Sequence, residues 1–182
     1  MSQIKLTTPI TKEKAAALKV GDEVLLSGII FTARDAAHKK LHDILDKGRR
    51  LPINMVDAVV YYAGPAPAPA RRPIGSCGPT TSSRMDPFTP ELLKLGLRGM
   101  IGKGGRSEEV RKAIVKHGCV YLIATGGLGA LLSMKVKSCR PILFKELGTE
   151  AIHKLEVRDF PLIVGIDTKG RDIYEQARQK IK

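Results

Sequence analysis

The sequence predicts an α/β fold: layered sheets with flanking helices. Three observations carry this reading. Strand-like and helix-like segments alternate from Ala58 to the end of the chain, the pattern of a sheet with some parallel pairing. A strand-rich segment at 22–33 precedes them and reads as part of a second sheet. Hydrophobic residues make up 43% of the 182 residues and aromatics only 4%, so an aliphatic core of single-domain size fits residues 1–182 as one unit.

The elements follow in order. "TPITKEKAAALKVGD" reads as a short helix capped by Thr11, with Gly21–Asp22 ending the connection. "EVLLSGIIFTA" is apolar, rich in β-branched residues and interrupted by Gly28, as one strand or two short ones would be. "RDAAHKKLHDILDKG" places Ala37, Leu41, Ile44 and Leu45 on one helical face, with Gly48 as the stop. "DAVVYYAG" is a buried strand, and "PAPAPA" after it suits a stiff extended connection. "TPELLKLG" reads as a compact helix with Thr89 as cap and Pro90 in the first position. "LRGMIG" is a short strand. "RSEEVRKAIVKHG" is the clearest helix: Ser107 caps it, acids lie at its start, bases lie at its end, and Gly118 closes it. "CVYLIAT" is a buried strand, "GGLGALLSMKV" a glycine-rich turn into a short helix, and "PILFKEL" a further strand. "KLEVRDFPLIVGIDT" is extended with a bend near Pro161, and "GRDIYEQARQKIK" is a closing helix.

Composition narrows the function classes. The net charge is +13, which suits an anionic substrate, an acidic protein partner or nucleic acid. The basic residues are spread along the chain without a run of five like charges. The stacking aromatics of single-strand readers are also absent, so nucleic acid is the weaker reading. No apolar run reaches the length of a membrane span, and the N-terminus lacks a signal-peptide pattern. These points predict a cytoplasmic protein with no membrane partner. Cys77, Cys119 and Cys139 are widely spaced and form no CxxC pair, so no metal ligand set is expected from this chain. His38 and His42 share a helical face at i, i+4 but lack the glutamate of HExxH; they read as a half-exposed face. "TGGLGALL" lacks a phosphate-loop lysine and the GxGxxG spacing, and reads as close helix–strand packing.

Four cations stand at the ends of elements: Arg34, Arg84, Lys103 and Arg106. Strand-to-helix loops gather at the carboxyl edge of an α/β sheet, where ligands bind. Arg34, Arg84 and Lys103 can therefore converge on one anion. Guanidinium forks suit carboxylates and a lysine adds a point charge, so three cations suit a dicarboxylate. Gly78–Pro79 lets the chain turn, and Thr80–Thr81 precede residues able to start a helical turn with free N–H groups. A threonine hydroxyl is a base only where its surroundings stabilise the alkoxide; otherwise such hydroxyls are caps.

"GPTTSSRMD" (78–86), "FTARDAAHKK" (31–40) and "GKGGRS" (102–107) together resemble the β subunit, or C-terminal domain, of class I fumarases and the related L-tartrate dehydratases. The resemblance runs in order over roughly residues 5–175. It implies the swivelling β/β/α domain. It implies an iron–sulfur hydro-lyase that reversibly dehydrates (S)-malate to fumarate, or acts on tartrate or another hydroxy-dicarboxylate. It also implies roles: Thr80 as the base that takes the C3 proton, with Arg34, Arg84 and Lys103 holding the substrate carboxylates. The [4Fe–4S] cluster is implied in a partner α subunit, with none bound by this chain's residues. Since the chain begins at Met1 and carries no cluster domain, the expectation is a separate β subunit, inactive alone, in an αβ heterodimer or its dimer. Two other classes compete with it: a basic nucleic-acid-binding module, and a structural relative that kept the fold without the chemistry.

Overall fold

The computed structural model describes residues 3–181. Seven strands, Ile4–Thr7 (β1), Glu23–Thr32 (β2), Val59–Tyr61 (β3), Gly99–Gly102 (β4), Val120–Ile123 (β5), Val136–Leu143 (β6) and Ile152–Ile166 (β7), form one hydrogen-bonded sheet. Its order is β1-β2-β3-β4-β5-β7-β6, with β2 also pairing β7. The steps β1–β2, β2–β3, β3–β4 and β4–β5 are parallel. β7 runs antiparallel to β2, β5 and β6.

The β2–β7 pairing closes β2-β3-β4-β5-β7 into a ring. Segment 22–33 therefore joins the main sheet rather than forming a second one. β2 is long enough to do both jobs: Phe31–Thr32 pair with β3, while residues from Glu23 to Phe31 pair with β7. The strand alternation then sorts two cores. Val59, Tyr61, Ile101, Val120 and Leu122 face inward with Leu26, Phe160 and Leu162. Val60, Met100 and Tyr121 face outward against the helices.

Those helices are Asp35–Asp46 (α2), Thr89–Lys94 (α3) and Glu108–His117 (α4); their Ala37, Leu41, Leu93, Val110 and Ile114 fill the outer core. Lys12–Ala17 (α1) and Gly129–Ser133 (α5) instead pack on the inner core through Ala15 and Leu132. Ile173–Ile181 (α6) ends the described chain. Among these described residues no helix is long and apolar enough to cross a membrane.

Local chemistry explains the element ends. The Thr11 hydroxyl accepts from Lys14 N at 3.3 Å, and Ser107 accepts from Val110 N at 3.3 Å. Each thereby satisfies an N–H that the first helical turn leaves unpaired. Gly118 takes φ 65°, the left-handed closing conformation that costs a glycine least. Thr89 departs from expectation: it is already helical, and its hydroxyl donates to Met85 O at 2.8 Å, so the cap position falls to Phe88. "PILFKEL" divides, with Pro141–Leu143 in β6 and residues from Lys145 to Glu150 in a 3₁₀ turn. The bend in β7 sits at Asp159, φ 49°, two residues before Pro161.

Candidate functional site

The three parallel neighbours β2, β3 and β4 end side by side, and the proposed site residues hang from those ends. Arg34 stands two residues beyond β2, and Ala33 N donates to Tyr61 O at 3.1 Å, tying that exit to β3. Just beyond β3, Tyr62 O accepts from Thr80 N at 2.6 Å. Just beyond β4, Lys103 N donates to Thr80 O at 3.3 Å and Lys103 O accepts from Ser82 N at 2.9 Å. Residues 80–82 thus continue the sheet for one bridge. The N–H of Ser82, the first residue after Thr80–Thr81, is consumed in this pairing, which corrects the expectation that it points freely at a ligand. The Thr80 hydroxyl has no hydrogen-bond partner among the described residues.

Beyond Thr81 the chain turns into a 3₁₀ segment, Ser82–Phe88, that carries Arg84 out to solvent. Arg84 Nε donates to Asp35 Oδ1 at 2.8 Å, and Arg34 Nε lies 3.7 Å from Asp35 Oδ2. The two arginines therefore meet on one carboxylate. Arg34 Nη2 also donates to Glu150 Oε1 at 2.6 Å, while Glu150 Oε2 accepts from Ala36 N at 2.9 Å, at the start of α2. Gly64 permits this closure: a Cβ there would stand 2.9 Å from Thr149 O and 3.4 Å from Arg34 Cδ.

The face is open. The Arg84 side chain is 54% exposed and Lys103 is exposed, whereas Arg34 is 31% exposed. Gly126 of the loop after β5 approaches the Lys103 stem, and Cys77 N donates to Gly129 O at 3.1 Å, so that loop and the start of α5 brace the site.

Arg106 does not join the other cations. Its side chain is 0% exposed, and its Nε donates to Asp86 Oδ1 at 2.7 Å. The guanidinium lies over the rings of Tyr62 and Tyr121 at 5.3 and 5.2 Å. Burial opposes its charge, but Tyr62 and Asp86 outweigh that and raise its pKa. Asp86 Oδ2 accepts from Ser107 N at 2.6 Å as well. This buried pair fixes the start of α4 to the 3₁₀ segment, and so fixes Lys103 relative to Arg84.

His38 is equally hidden. It is buried rather than half-exposed: Nδ1 donates to Arg34 O at 3.1 Å, Nε2 has no partner among the described residues, and the ring packs edge-on against Tyr62. Burial drives its pKa down to about 4. His42 lies outside, between Glu91 and Asp46. Sequence patterns missed Asp35, Glu150 and Asp86 as partners. Asp35 and Asp86 lie inside the quoted motifs, but Glu150 has no local signal at all.

The chain's cysteines do not fit an iron–sulfur cluster. Cys77 and Cys119 are buried, with thiols pushed up to about 12 and about 11 by burial. Among the described residues no three His, Cys, Asp or Glu side chains stand close enough together to hold a metal ion.

Fold and site together define a mixed α/β domain with a cationic, open face at the carboxyl ends of its parallel strands. The chain belongs to the fumarase C-terminus family, whose profile matches residues 1–177. The anaerobic class I fumarate hydratase of Escherichia coli K12 is 42% identical over 184 residues, covering 98% of this chain and 33% of that protein. The putative L(+)-tartrate dehydratase subunit beta of Methanocaldococcus jannaschii is 42% identical over 178 residues, covering 94% of this chain and 91% of that protein. Fumarate hydratase 2 of Leishmania major is 39% identical over 178 residues, 31% of its length. The chain thus spans about a third of the two fumarate hydratases.

Proposed function

We propose that the chain is the β subunit of an iron–sulfur-dependent hydro-lyase that interconverts (S)-malate and fumarate, sharing its active site with a partner α subunit. The observation that carries this is the convergence of Arg34, Thr80, Arg84 and Lys103 at the ends of β2, β3 and β4, on a face left open to solvent. We read the closed sheet with α2, α3 and α4 outside it as the swivelling β/β/α domain, over residues 1–182, working in the cytoplasm.

Thr80 takes the C3 proton on its hydroxyl oxygen, in the alkoxide form. Neighbouring cations favour that form, and backbone pairing to Tyr62 and Lys103 holds the residue in place. Proton loss next to a carboxylate builds charge on that carboxylate. Arg34, Arg84 and Lys103, placed in advance, bind it more tightly as the charge grows. Asp35 and Glu150 keep the two guanidiniums aligned until substrate arrives. The [4Fe–4S] cluster that we assign to the α subunit would supply a Lewis acid for the hydroxyl; among the described residues of this chain no group of His, Cys, Asp or Glu side chains could hold a metal ion.

Tartrate is the second reading of the substrate, favoured by the end-to-end match with the Methanocaldococcus protein. The partner's side of the site can decide between them, because one hydroxyl is read by a single hydrogen-bonding contact. The experiment is reconstitution: each subunit alone and the anaerobic mixture, assayed with (S)-malate and L-tartrate. Activity is expected only in the mixture. Full turnover by this chain alone would overturn the shared-site reading.

A further inference from the structure

The amino edge of the same parallel strands holds a second cationic feature. A cavity of about 540 Å³ opens there between the residues that lead into β4 and β5. Lys12 from α1, Lys94 from α3, Arg98 ahead of β4, Lys116 and His117 from α4, and Thr168 after β7 line it. No carboxylate is part of that lining. Asp57 is the one acid bonded to any of these groups among the described residues, at 3.3 Å from Arg98 Nε. Exposed Glu13, beside Lys12, is the other acid close enough for Lys12 and Arg98 to act on it.

Helix ends account for part of this cluster. Lys94, Lys116 and His117 lie in last turns, where a cation meets the negative end of the helix. Lys12 does not fit, because it is the first residue of α1 and faces the positive end. Arg98 belongs to no helix. Its side chain is only 6% exposed, and it is held rigidly by the carbonyls of His117 and Gly118. His117 senses the whole group: burial lowers its pKa first, then Lys116, Arg98, Lys94 and Lys12 in turn. Four cations from separate elements thus act on one point with little internal compensation, and an anion between them removes that repulsion.

We propose that this cavity is a second anion site, separate from the carboxyl edge, that takes a compact oligophosphate. Ammonium and guanidinium groups both bind phosphate oxygens; three lysines from separate elements beside the fixed Arg98 carry more charge than one carboxylate offsets, which favours a compact polyanion. The cavity is concave and has no Phe, Tyr or Trp in its lining, which disfavours an extended nucleic acid strand.

Calorimetric titration of the full chain with inorganic tripolyphosphate, at physiological salt, tests this. Saturable one-to-one binding is expected. The Lys94→Ala/Lys116→Ala double variant should bind about tenfold or more weakly, the Lys94→Arg/Lys116→Arg variant should retain binding, and Lys103→Ala should leave it unchanged. A nucleoside triphosphate in a second arm identifies the source: equal affinity points to phosphate alone, tighter affinity to a nucleotide. Absence of saturable binding overturns the proposal. So does loss in Lys103→Ala but not in the double variant, which would move the anion to the carboxyl edge. Tighter binding of duplex DNA at the same lysines would make the surface a nucleic-acid interface instead.

Discussion

The two edges of the parallel strands carry the same sign of charge in opposite physical conditions. At the carboxyl edge the arginines are held, Arg34 by Glu150, Arg84 by Asp35, and Arg106 by Asp86 in the layer beneath, and Lys103 alone of the site cations stands in solvent with no carboxylate partner among the described residues. At the amino edge Arg98 alone has a carboxylate partner among the described residues, and the lysines stand in solvent. A held guanidinium has a direction and loses little freedom when a ligand arrives; a free lysine supplies field without direction. The carboxyl edge is built for geometry and the amino edge for attraction. Substitutions at the first should change chemistry and stability strongly, and those at the second should barely change folding.

The largest effect is expected where geometry meets the reacting atom. In the reconstituted enzyme, Thr80→Ala should lower kcat by about a thousandfold, the middle of the range for losing a positioned acid–base group, with KM changed far less. Steady-state kinetics on (S)-malate measure both. Unchanged turnover would leave Thr80 as a structural hydroxyl and remove the chemical half of the contrast.

The next effect tests the layer beneath. Asp86→Asn leaves the Arg106 guanidinium buried without its counter-charge and weakens the bond to Ser107 N. Breaking a buried pair this way costs about 3–5 kcal/mol, to be read from denaturant unfolding of the subunit. Asp57→Asn should cost clearly less, because Asp57 at the amino edge is 29% exposed and the Arg98 guanidinium keeps the carbonyls of His117 and Gly118. Equal losses would mean the two edges are equally preorganised.

A third test uses pH. His38 is neutral in the folded chain down to about 4, while the unfolded chain takes up its proton near 6.5. Between those values the unfolded state binds more protons, so stability falls as pH drops from about 6.5 to about 4. The full loss from this group is about 3 kcal/mol. His38→Asn keeps a donor for the Arg34 carbonyl and removes the titration. Its stability should therefore be flatter over that window, with no matching change above pH 7. An unaltered slope would place the acid sensitivity elsewhere.

What the sequence made legible divides along similar lines. Caps at Thr11 and Ser107, the Gly118 stop and the order of elements were readable because each depends on residues a few positions apart. The site cations were readable as residues following strands. Their fixing was not, because Glu150 reaches Arg34 across 116 positions through a glycine-tight contact at Gly64. Closure of the sheet by β2 and β7 was hidden for the same reason: a strand does not announce how many neighbours it has. Thr89 misled because a cap signature is indistinguishable from a hydroxyl that bonds back to Met85 within the helix. His38 misled because alternating burial on α2 was read from its apolar residues alone, while Tyr62 and Phe88 make room for one more ring.

The smallest prediction has a sign that decides the matter at the amino edge. Lys12 is the first residue of α1, where the N-terminal N–H groups present positive charge, and it faces Arg98, Lys94 and Lys116 across the cavity. Both interactions are repulsive. The one attraction working the other way is with Glu13, whose carboxyl is held below its usual range first by the Thr11 hydroxyl and only weakly by Lys12. Lys12→Ala should therefore raise the unfolding midpoint slightly, by about 0.5 kcal/mol of stability at low salt, with the gain fading as salt screens the surface. The same substitution should weaken tripolyphosphate binding. A residue that costs folding and helps an anion is what an attraction-built edge requires. A loss of stability in Lys12→Ala would instead show that these cations already have their compensation within the fold, and the two edges would then differ in exposure alone.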